Sequence, residues 1–457
     1  MSIQPAQAGS AAHFEGQRWA VFGLGATGLS LARYLAPRVA QLLCVDTRAE
    51  PPARAAVQAL SPAIECRCGT LSATSLAGYS HIAVSPGVPL DHPALRGAVT
   101  AGSVLVGDVE LFRRAATAPV LGVTGSNGKS TVTTLVWQML EAAGWTVQAG
   151  GNLGTPALAL LAGATPDYYL LELSSFQLEL ATALGLEVAC VLNLSADHLD
   201  RHGSFAAYRD AKARILRGAK HLVLNADDPA VAALAPPGAA VSWVGSQGHT
   251  AEYHVALRAG ERWLQRGSQP LIACSGFQLA GRHNEFNALA AFAITDCLDV
   301  PRAAQCAALA AFAGLEHRAR RIASRAGVDW YDDSKGTNIG AASAAIEGLL
   351  SGRGGVLIAG GQGKGADFRE LRPALTGRVH TAILLGEDAP LLAAAIGDLV
   401  AVQLADDLPA AVRLAAAAVR PGEAVLLSPA CASLDMFDNY QHRGRVFAAA
   451  VHEVLGA

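Results

Sequence analysis

The chain has 457 residues, of which 51% are hydrophobic and 16% charged, and its formal net charge is −3. This length exceeds what one hydrophobic core fills, so we expect roughly three domains of about 100–200 residues each. The composition argues against extended disorder, and the small net charge gives no indication of a nucleic-acid partner or an anionic membrane surface.

The first block of the chain alternates short apolar strands with helices. Strands are predicted at residues 19–23, 42–45 and 81–84, and a helix at residues 29–35. Strands that alternate with helices indicate a parallel sheet of the α/β class. We therefore expect a Rossmann-like domain over residues 1–117.

The second block opens with a buried strand at residues 119–123 and a helix that starts at Lys129. Further strands are predicted at residues 168–173, 188–194 and 221–225, and a long helix near Asn284. Alternating polar and aromatic residues over 240–279 favour added antiparallel strands. Residues 118–318 are expected to form a central, mostly parallel sheet of the P-loop ATPase type.

The third block, residues 319–457, repeats the α/β pattern. Its strands are predicted at residues 356–359, 381–385 and 424–427. We expect a second Rossmann-like unit there.

The sequence gives no indication of a signal peptide at residues 1–16 or of a membrane span at residues 410–419. The first 16 residues lack a basic start followed by an apolar core, and the alanine-rich stretch 410–419 is short and interrupted by Arg413. The eight cysteines are scattered through a long chain, which favours a reduced, cytoplasmic setting.

A glycine-rich loop follows the strand at residues 119–123. Its residues suit an ATP site, because backbone N–H groups and a helix N-terminus hold phosphates, the lysine reaches the terminal phosphate and the first hydroxyl binds Mg²⁺. The residues are Gly125, Ser126, Asn127, Gly128, Lys129, Ser130 and Thr131. Gly122 and Gly128 have five residues between them instead of the usual four. The loop alone is equally compatible with a kinase or an ATPase.

A second glycine loop, Gly23-x-Gly25-x-x-Gly28, follows the first strand, and Asp46 ends the next one. This spacing is typical of dinucleotide sites, but any nucleoside diphosphate could use the same turn. A purely structural turn is the other interpretation.

Charged side chains also stand at strand ends in the second block. Glu172 ends one predicted strand, and Asp197-His198 follows another. A buried carboxylate needs a partner or a metal, and His198 among carboxylates could bind a metal. Lys212 lies on a predicted helix, and composition alone indicates a surface lysine.

Together these motifs resemble the Mur ligases of peptidoglycan synthesis along nearly the whole chain. The resemblance is carried by the glycine-lysine loop, Gly150–Gly154, Glu172–Gln177, Asp197-His198, Gly281–Ala288, Gly314–Arg318, Asp332–Asn338 and Ser428–Ser433. The last two segments are more similar to the branch that adds glutamate than to those that add diaminopimelate, lysine or D-Ala-D-Ala.

The resemblance implies three domains that bind a UDP-substrate, ATP and an amino acid. It implies that ATP phosphorylates the carboxylate of UDP-N-acetylmuramoyl-L-alanine, and that the amine of glutamate attacks the acyl phosphate. ADP, phosphate and an amide result, with two Mg²⁺ ions and a monomeric protein expected. D-glutamate is implied, although the residues leave D against L open.

The same resemblance implies roles for individual residues. Catalysis is expected from Lys129, Glu172, His198 and Lys212. Metal ligation is expected from Ser130, Glu172, His198 and Lys212, the last as a carbamate formed with CO₂. ATP contacts beyond the loop are expected from Asn284, Asn287, Arg318 and Asp333. The UDP-substrate is expected to contact Thr27, Asp46, Thr47, Asn152 and Ser174. Glutamate is expected to contact Thr337, Lys364, Ser433, Leu434 and Tyr440. Whether Lys335 touches nucleotide or only shapes its loop stays open.

Two positions depart from the family pattern: Gln362 stands where relatives often have Asp, and Tyr440 where they often have Phe. Three other functions fit these residues less well. A nicotinamide dehydrogenase leaves Lys129 unexplained, a folylpolyglutamate synthetase lacks the first domain, and a non-catalytic nucleotide switch does not need Glu172, His198 and Lys212.

Overall fold

The computed structural model describes residues 14, 16–246, 251–279 and 281–456. Three β-sheets follow one another along the chain, with five, nine and six strands. Parallel pairing dominates in each sheet, which confirms the predicted α/β class with Rossmann-like outer units and a mostly parallel central sheet.

The first sheet is parallel throughout, with strand order β3-β2-β1-β4-β5. Its elements are β1 Arg18–Phe22, α1 Ala26–Leu35, β2 Gln41–Asp46, α2 Arg54–Gln58, β3 Glu65–Cys68, β4 His81–Val84, α3 Pro93–Thr100, β5 Val104–Gly107 and α4 Asp108–Ala115. The strand order reverses between β1 and β4, and ligands of such sheets bind beyond the carboxyl ends at that point.

The second sheet has the order β14-β13-β12-β11-β10-β9-β6-β8-β7. Its elements are β6 Val120–Thr124, α5 Lys129–Ala142, β7 Val147–Gly151, β8 Tyr168–Glu172, α6 Ser175–Leu178, β9 Val188–Val191, α7 Leu199–His202, α8 Phe205–Ala213, β10 His221–Asn225, α9 Pro229–Ala232, β11 Val241–Val244, β12 Tyr253–Arg258, β13 Glu261–Arg266, β14 Gln269–Ala273, α10 Arg282–Asp296 and α11 Arg302–Ala311. The strands β12 to β14 pair antiparallel, as the pattern over 240–279 predicts, whereas β11 pairs parallel with both neighbours.

The third sheet has the order β15-β16-β20-β17-β18-β19, and β15 is its antiparallel strand. Its elements are β15 Arg320–Arg325, β16 Val328–Asp332, α12 Ile339–Leu350, β17 Gly355–Gly360, α13 Arg372–Leu375, β18 Val379–Leu385, α14 Ala389–Ile396, β19 Ala401–Leu404, α15 Leu408–Ala418, β20 Ala424–Leu427 and α16 Tyr440–Leu455.

The centre of the second sheet explains why its strands are so apolar. Every residue of β6 is buried, because neighbours cover both faces of the sheet. On one face α5 packs beside α10, whose consecutive residues Ala288 to Ala293 are buried. This core fixes the loop between β6 and α5, where the phosphate motif lies. Among the described residues, no helix is long and apolar enough to cross a membrane.

One predicted strand is too long. Residues 188–194 were expected to form it, but β9 ends at Val191. Beyond that point the Asn193 side chain takes over the pairing. Its Oδ1 accepts from the Asn127 backbone N–H at 2.8 Å, and its Nδ2 donates to the Asn127 carbonyl at 3.1 Å. A side chain thus replaces the β-ladder and anchors the glycine loop.

Candidate active site

The glycine loop between β6 and α5 has the geometry of a phosphate cradle. Gly128 has φ 82° and immediately precedes α5, a backbone conformation that favours glycine. A Cβ there would lie 2.5 Å from Oδ1 of Asn287 on α10. Both the turn and the close approach of α10 therefore require glycine at this position.

The Lys129 side chain folds back over this loop. Its Nζ donates to the carbonyls of Gly125 and Ser126 at 2.9 and 2.8 Å. Burial lowers the pKa of Lys129, and Glu172 opposes that shift. The amine is thus held where phosphates on the loop would meet it.

Ser130 and Glu172 form the centre of a second cluster. The Ser130 hydroxyl donates to Glu172 at 2.5 Å, and Asn152 Nδ2 donates to the other carboxylate oxygen at 2.6 Å. Arg318, which precedes the third sheet, donates to the Ser130 hydroxyl at 2.7 Å. A buried carboxylate, a hydroxyl and a guanidinium therefore converge from three segments distant in sequence.

Lys212 is not a surface residue, so the interpretation from composition alone is wrong. The side chain is on α8, is only 2% exposed, and its Nζ donates to the Gly125 carbonyl at 2.8 Å and to Thr124 Oγ1 at 3.2 Å. Burial, followed by the positive charge of Lys129, lowers its pKa well below the ordinary value. Tyr208 holds α8 against the loop, because its hydroxyl bonds Ser126 Oγ at 2.7 Å.

His198 lies in a loop beyond β9, with a left-handed φ of 53°. Burial lowers its pKa, an effect that the neighbouring Asp197 opposes. One cavity of about 280 Å³ is lined by His198, Lys129, Glu172 and Lys212, so the structure brings the four sequence-predicted catalytic residues together. Within the described ranges, no group of three or more His, Cys, Asp or Glu side chains could hold a metal ion by itself.

A second cavity, of about 360 Å³, adjoins the glycine loop. It is lined by Asn284, Asn287, Arg318 and Asp333, all named from sequence as ATP contacts. Burial raises the pKa of Asp333 to about 7, although Ser428 Oγ donates to it at 2.6 Å.

Lys335, whose role the sequence left open, lines both this cavity and the catalytic one. Its Nζ lies 3.9 Å from the centre of the Tyr440 ring. Burial lowers its pKa to about 8. The side chain therefore faces the space where the two cavities meet.

A third cavity, of about 740 Å³, opens at the reversal point of the first sheet. All five residues named for the UDP-substrate line it: Thr27, Asp46, Thr47, Asn152 and Ser174. Asp46 accepts from the Leu24 backbone N–H at 2.7 Å and from the Arg48 guanidinium at 2.9 and 2.7 Å. Burial alone would raise the pKa of Asp46, but these hydrogen bonds lower it.

The proposed glutamate residues are not all gathered. Thr337 and Lys364 line a cavity of about 170 Å³ together with Asp197 and His198. Ser433, Leu434 and Tyr440 are not among the residues that line it; Ser433 is buried and Leu434 is 68% exposed. Gln362 donates to Glu387 at 2.9 Å, and Gly363 N–H donates to Asp388 at 2.6 Å. An aspartate at position 362 would instead face a carboxylate.

Sequence reasoning gave no role to four residues that shape the site: Arg48, Asn193, Tyr208 and Asn338. Arg48 lines the UDP-type cavity, Asn193 and Tyr208 bond the glycine loop, and Asn338 bonds Asn127. Asn338 ends the motif Asp332–Asn338, and Asn193 follows a predicted strand core, so an amide next to a strand or helix end was the available signal. Arg48 and Tyr208 carry no pattern that separates them from ordinary surface and core residues.

Comparisons with known proteins identify relatives over nearly the whole chain. Models of the "Mur ligase MurD-like, N-terminal domain", the "Mur ligase middle domain" and the "Mur ligase, glutamate ligase domain" match residues 17–107, 123–295 and 317–431. A UDP-N-acetylmuramoylalanine–D-glutamate ligase of Nitrosococcus oceani is 48% identical, covering 95% of this chain and 96% of that one. The namesake of Pseudomonas syringae pv. tomato is also 48% identical, covering 94% and 97%.

The fold is also found in solved structures. A MurF ligase from Thermotoga maritima in complex with ADP superimposes with a TM-score of 0.62 at 17% identity, covering 98% of this chain and 97% of that chain. At this identity the likeness concerns the fold alone. The three consecutive domain matches and the near full-length identity to curated relatives lead to one conclusion: the chain belongs to the Mur ligase family.

Proposed function

We propose that the protein joins D-glutamate to UDP-N-acetylmuramoyl-L-alanine and converts ATP to ADP and phosphate. One observation carries this proposal: the catalytic cavity shares walls with the three others. It shares Asn152 and Ser174 with the UDP-type cavity, and Arg318 and Lys335 with the cavity beside the glycine loop. It shares Asp197, His198, Thr337 and Asn338 with the cavity that contains Lys364. Three substrates could thus meet at one point.

The curated relatives support the choice of substrates. Their name specifies UDP-N-acetylmuramoylalanine and D-glutamate, and they are 48% identical over nearly the whole chain. Lys364 supplies the cation that a carboxylate of glutamate needs. The residues themselves do not decide between the two enantiomers, so D-glutamate rests on the relatives.

The cations around the cavity suit phosphoryl transfer to a carboxylate. The ATP γ-phosphate and the substrate carboxylate repel each other, and positive groups must offset that repulsion. Lys129 Nζ lies over the Gly125 and Ser126 carbonyls at the start of the loop, and Arg318 reaches the Ser130 hydroxyl at its other end. The substrate oxygen attacks the γ-phosphorus, ADP leaves, and the glutamate amine then attacks the acyl carbon and expels phosphate. The amine proton must leave, and His198 borders the cavity on the Lys364 side.

The chain's oxygen donors fit a divalent cation. Ser130 Oγ and Glu172 lie 2.5 Å apart, and a hard cation such as Mg²⁺ prefers hydroxyl, carboxylate and phosphate oxygens. Bound there, Mg²⁺ would supply charge neutralisation for the phosphates. His198 lies in the same cavity and is our candidate ligand for a second ion.

Lys212 is proposed to carry a carbamate. A buried amine with a depressed pKa keeps the lone pair that attacks CO₂. The N–C bond forms as one C=O π bond opens, and the nitrogen loses a proton to solvent. The product is an anion beside Lys129, where an ammonium is disfavoured.

We further propose domains at residues 1–117, 118–318 and 319–457, a monomeric state and a cytoplasmic setting. The first two family matches end at 107 and 295 and the following ones begin at 123 and 317, which supports a first boundary between 107 and 123 and a second one close to residue 317. All eight cysteines are free thiols, which suits a reducing compartment.

The proposal is tested by incubating the pure protein with UDP-N-acetylmuramoyl-L-alanine, D-glutamate, ATP and Mg²⁺. We expect phosphate release together with an amide product seen by mass spectrometry. A parallel reaction with L-glutamate tests the stereochemistry, and Lys129→Ala serves as the inactive control. Phosphate release without amide, or no release, would reject the ligase. A dehydrogenase would instead show protection from unfolding by NAD and not by UMP.

A further inference from the structure

The N-terminus of α12, in the third unit, docks directly on the glycine loop. The Asn338 and Asn127 side-chain amides pair reciprocally, with Nδ2 to Oδ1 distances of 3.1 and 3.2 Å. Asn338 is 8% exposed, so water does not compete freely for this pair. Two amide hydrogen bonds therefore link segments that lie more than two hundred residues apart in sequence.

Asn338 makes two further contacts. Its Oδ1 accepts from the Ala341 N–H at 2.8 Å and so caps α12. Its Nδ2 also donates to Asp197 at 3.2 Å, in the loop that carries His198. One side chain thus touches the phosphate loop, the His198 loop and the first turn of a helix at once.

Gly340, in the first turn of α12, makes this approach sterically possible. A Cβ at that position would lie 2.8 Å from Ser195 Oγ, 3.1 Å from Ser195 Cβ and 3.4 Å from Asn127 Nδ2. Ser195 Oγ is itself buried without a hydrogen-bond partner. Gly340 and the Asn338–Asn127 pair therefore belong to the same contact surface between α12 and the glycine loop.

We propose that Asn338 is a positioning residue that, through Asn127 and Asp197, holds the phosphate loop and the His198 loop in register with the Lys364 cavity, and that Gly340 permits this contact. This inference rests on the proposed ligase function. Asn338 lines the catalytic cavity, but its amide is already bonded to Asn127, Asp197 and the Ala341 N–H, so its role is to make the arrangement of the loops depend on the docking of the third unit. Phosphoryl transfer requires the reacting groups to be closely aligned, so a loss of alignment should lower kcat more than it weakens substrate binding.

Asn338→Ala tests the inference, with Asp407→Ala as matched control. Asp407 caps α15 in the same unit by accepting from the Ala410 N–H at 2.7 Å, so both variants lose one helix cap. We expect Asn338→Ala to lower kcat about 10- to 100-fold with a smaller change in the KM for ATP, because about two to three hydrogen bonds of roughly 1 kcal/mol are lost. Asp407→Ala should keep wild-type kcat and lose only the stability that its helix cap contributes.

A double-mutant cycle makes the test specific. If the pair acts as a unit, Asn127→Ala with Asn338→Ala loses little more activity than the worse single variant. Losses that multiply, or wild-type kcat in Asn338→Ala, would overturn the inference. Should Asn338→Ala not fold, Asn338→Asp keeps the cap acceptor but places a carboxylate against Asp197, and the same loss of kcat is expected.

Gly340→Ala provides an independent arm. It should also lower kcat, and Ser195→Gly in the same protein should restore part of the loss, because it removes both close side-chain atoms. No restoration would count against the packing argument.

An inactive wild type would reject the ligase function without deciding the inference. Hydrogen exchange of the segments 125–130 and 195–200 then decides it, because these loops should open more often without the Asn338 hydrogen bonds. Faster exchange in Asn338→Ala than in Asp407→Ala supports the contact, and equal rates refute it.

Discussion

Replacing Lys212 by methionine should stabilise the protein and abolish its activity. Methionine keeps the length and most of the volume of the side chain but removes a buried amine that has no carboxylate hydrogen-bonded to it. The two groups that accept hydrogen bonds from the Lys212 amine keep other contacts after the substitution. The Gly125 carbonyl still receives Lys129 Nζ at 2.9 Å, and the Thr124 hydroxyl still donates to Leu173 at 2.6 Å. The substitution therefore strands neither of these polar atoms.

The size of the effect follows from the burial of the amine. Removing a poorly compensated buried polar group should gain about 1–3 kcal/mol at pH 7. The gain depends on pH, because burial lowers the pKa of Lys212. Between the folded-state pKa and about 10.4, the unfolded chain binds a proton that the folded chain does not. Wild-type stability therefore rises with pH there, by up to about 1.4 kcal/mol per pH unit from this group.

The assay is urea unfolding of both proteins from pH 7 to pH 9, in carbonate-free buffer and with added bicarbonate. Without bicarbonate, the advantage of Lys212→Met should shrink as pH rises. Bicarbonate should stabilise the wild type alone, since a carbamate binds only the folded site. Lys220→Met, which removes an exposed lysine paired with Glu187, is the control and should change little.

The reasoning is refuted if Lys212→Met unfolds more easily than the wild type at pH 7. A difference in unfolding free energy that stays constant between pH 7 and pH 9 would also refute it. Full ligase activity in Lys212→Met would separately contradict the proposed role of a carbamate on Lys212.

Three further predictions concern the other cavities. Glu172→Gln should slow phosphate release at least about 100-fold, because the NH₂ group of the new amide would face a hydrogen-bond donor of Ser130 or Asn152. The control Glu187→Gln should not slow it. An active Glu172→Gln would contradict the assigned role. Asp333→Asn should flatten the pH dependence of the free energy of unfolding. Burial raises the pKa of Asp333 to about 7, so the stability that this group contributes is full below its unfolded pKa of about 3.8 and is lost as pH rises to 7. A difference in melting temperature between wild type and variant that is the same at pH 5 and pH 8 would contradict this. Asp46→Asn should raise the UMP concentration needed for thermal protection about tenfold, because hydrogen bonds that shape the first glycine loop are lost. Unchanged protection would show that Asp46 is not part of that site.

Much of the fold could be predicted because its strands are apolar runs bounded by turn residues. β4, β10 and α5 begin where the pattern places them. The short edge strands β3 and β19 were not predicted. Their residues are largely exposed or half-buried, so no apolar run marks them. Edge strands depend on a neighbouring strand that the local sequence does not specify.

The site could be predicted from the local sequence only where a side chain suited to catalysis stands at the end of a predicted strand. Glu172 meets both conditions. Lys212 did not, since a lysine in an ordinary helical pattern is indistinguishable from a surface residue until α8 packs on the loop. Its assignment came from resemblance alone. The contact of Asn338 with Asn127 depends on how two units meet, which neither local pattern contains.

The folded-back Lys129 has a consequence for which anions the loop retains. Its Nζ already donates to two loop carbonyls, so only one of the three N–H groups of the ammonium is left for an incoming phosphate. A lone inorganic phosphate gains little beyond that one hydrogen bond. A triphosphate also recruits the backbone of the loop, the start of α5 and the adjoining cavity. The lysine thus sets a threshold that favours polydentate nucleotides over the simple anions that are abundant around any biosynthetic enzyme.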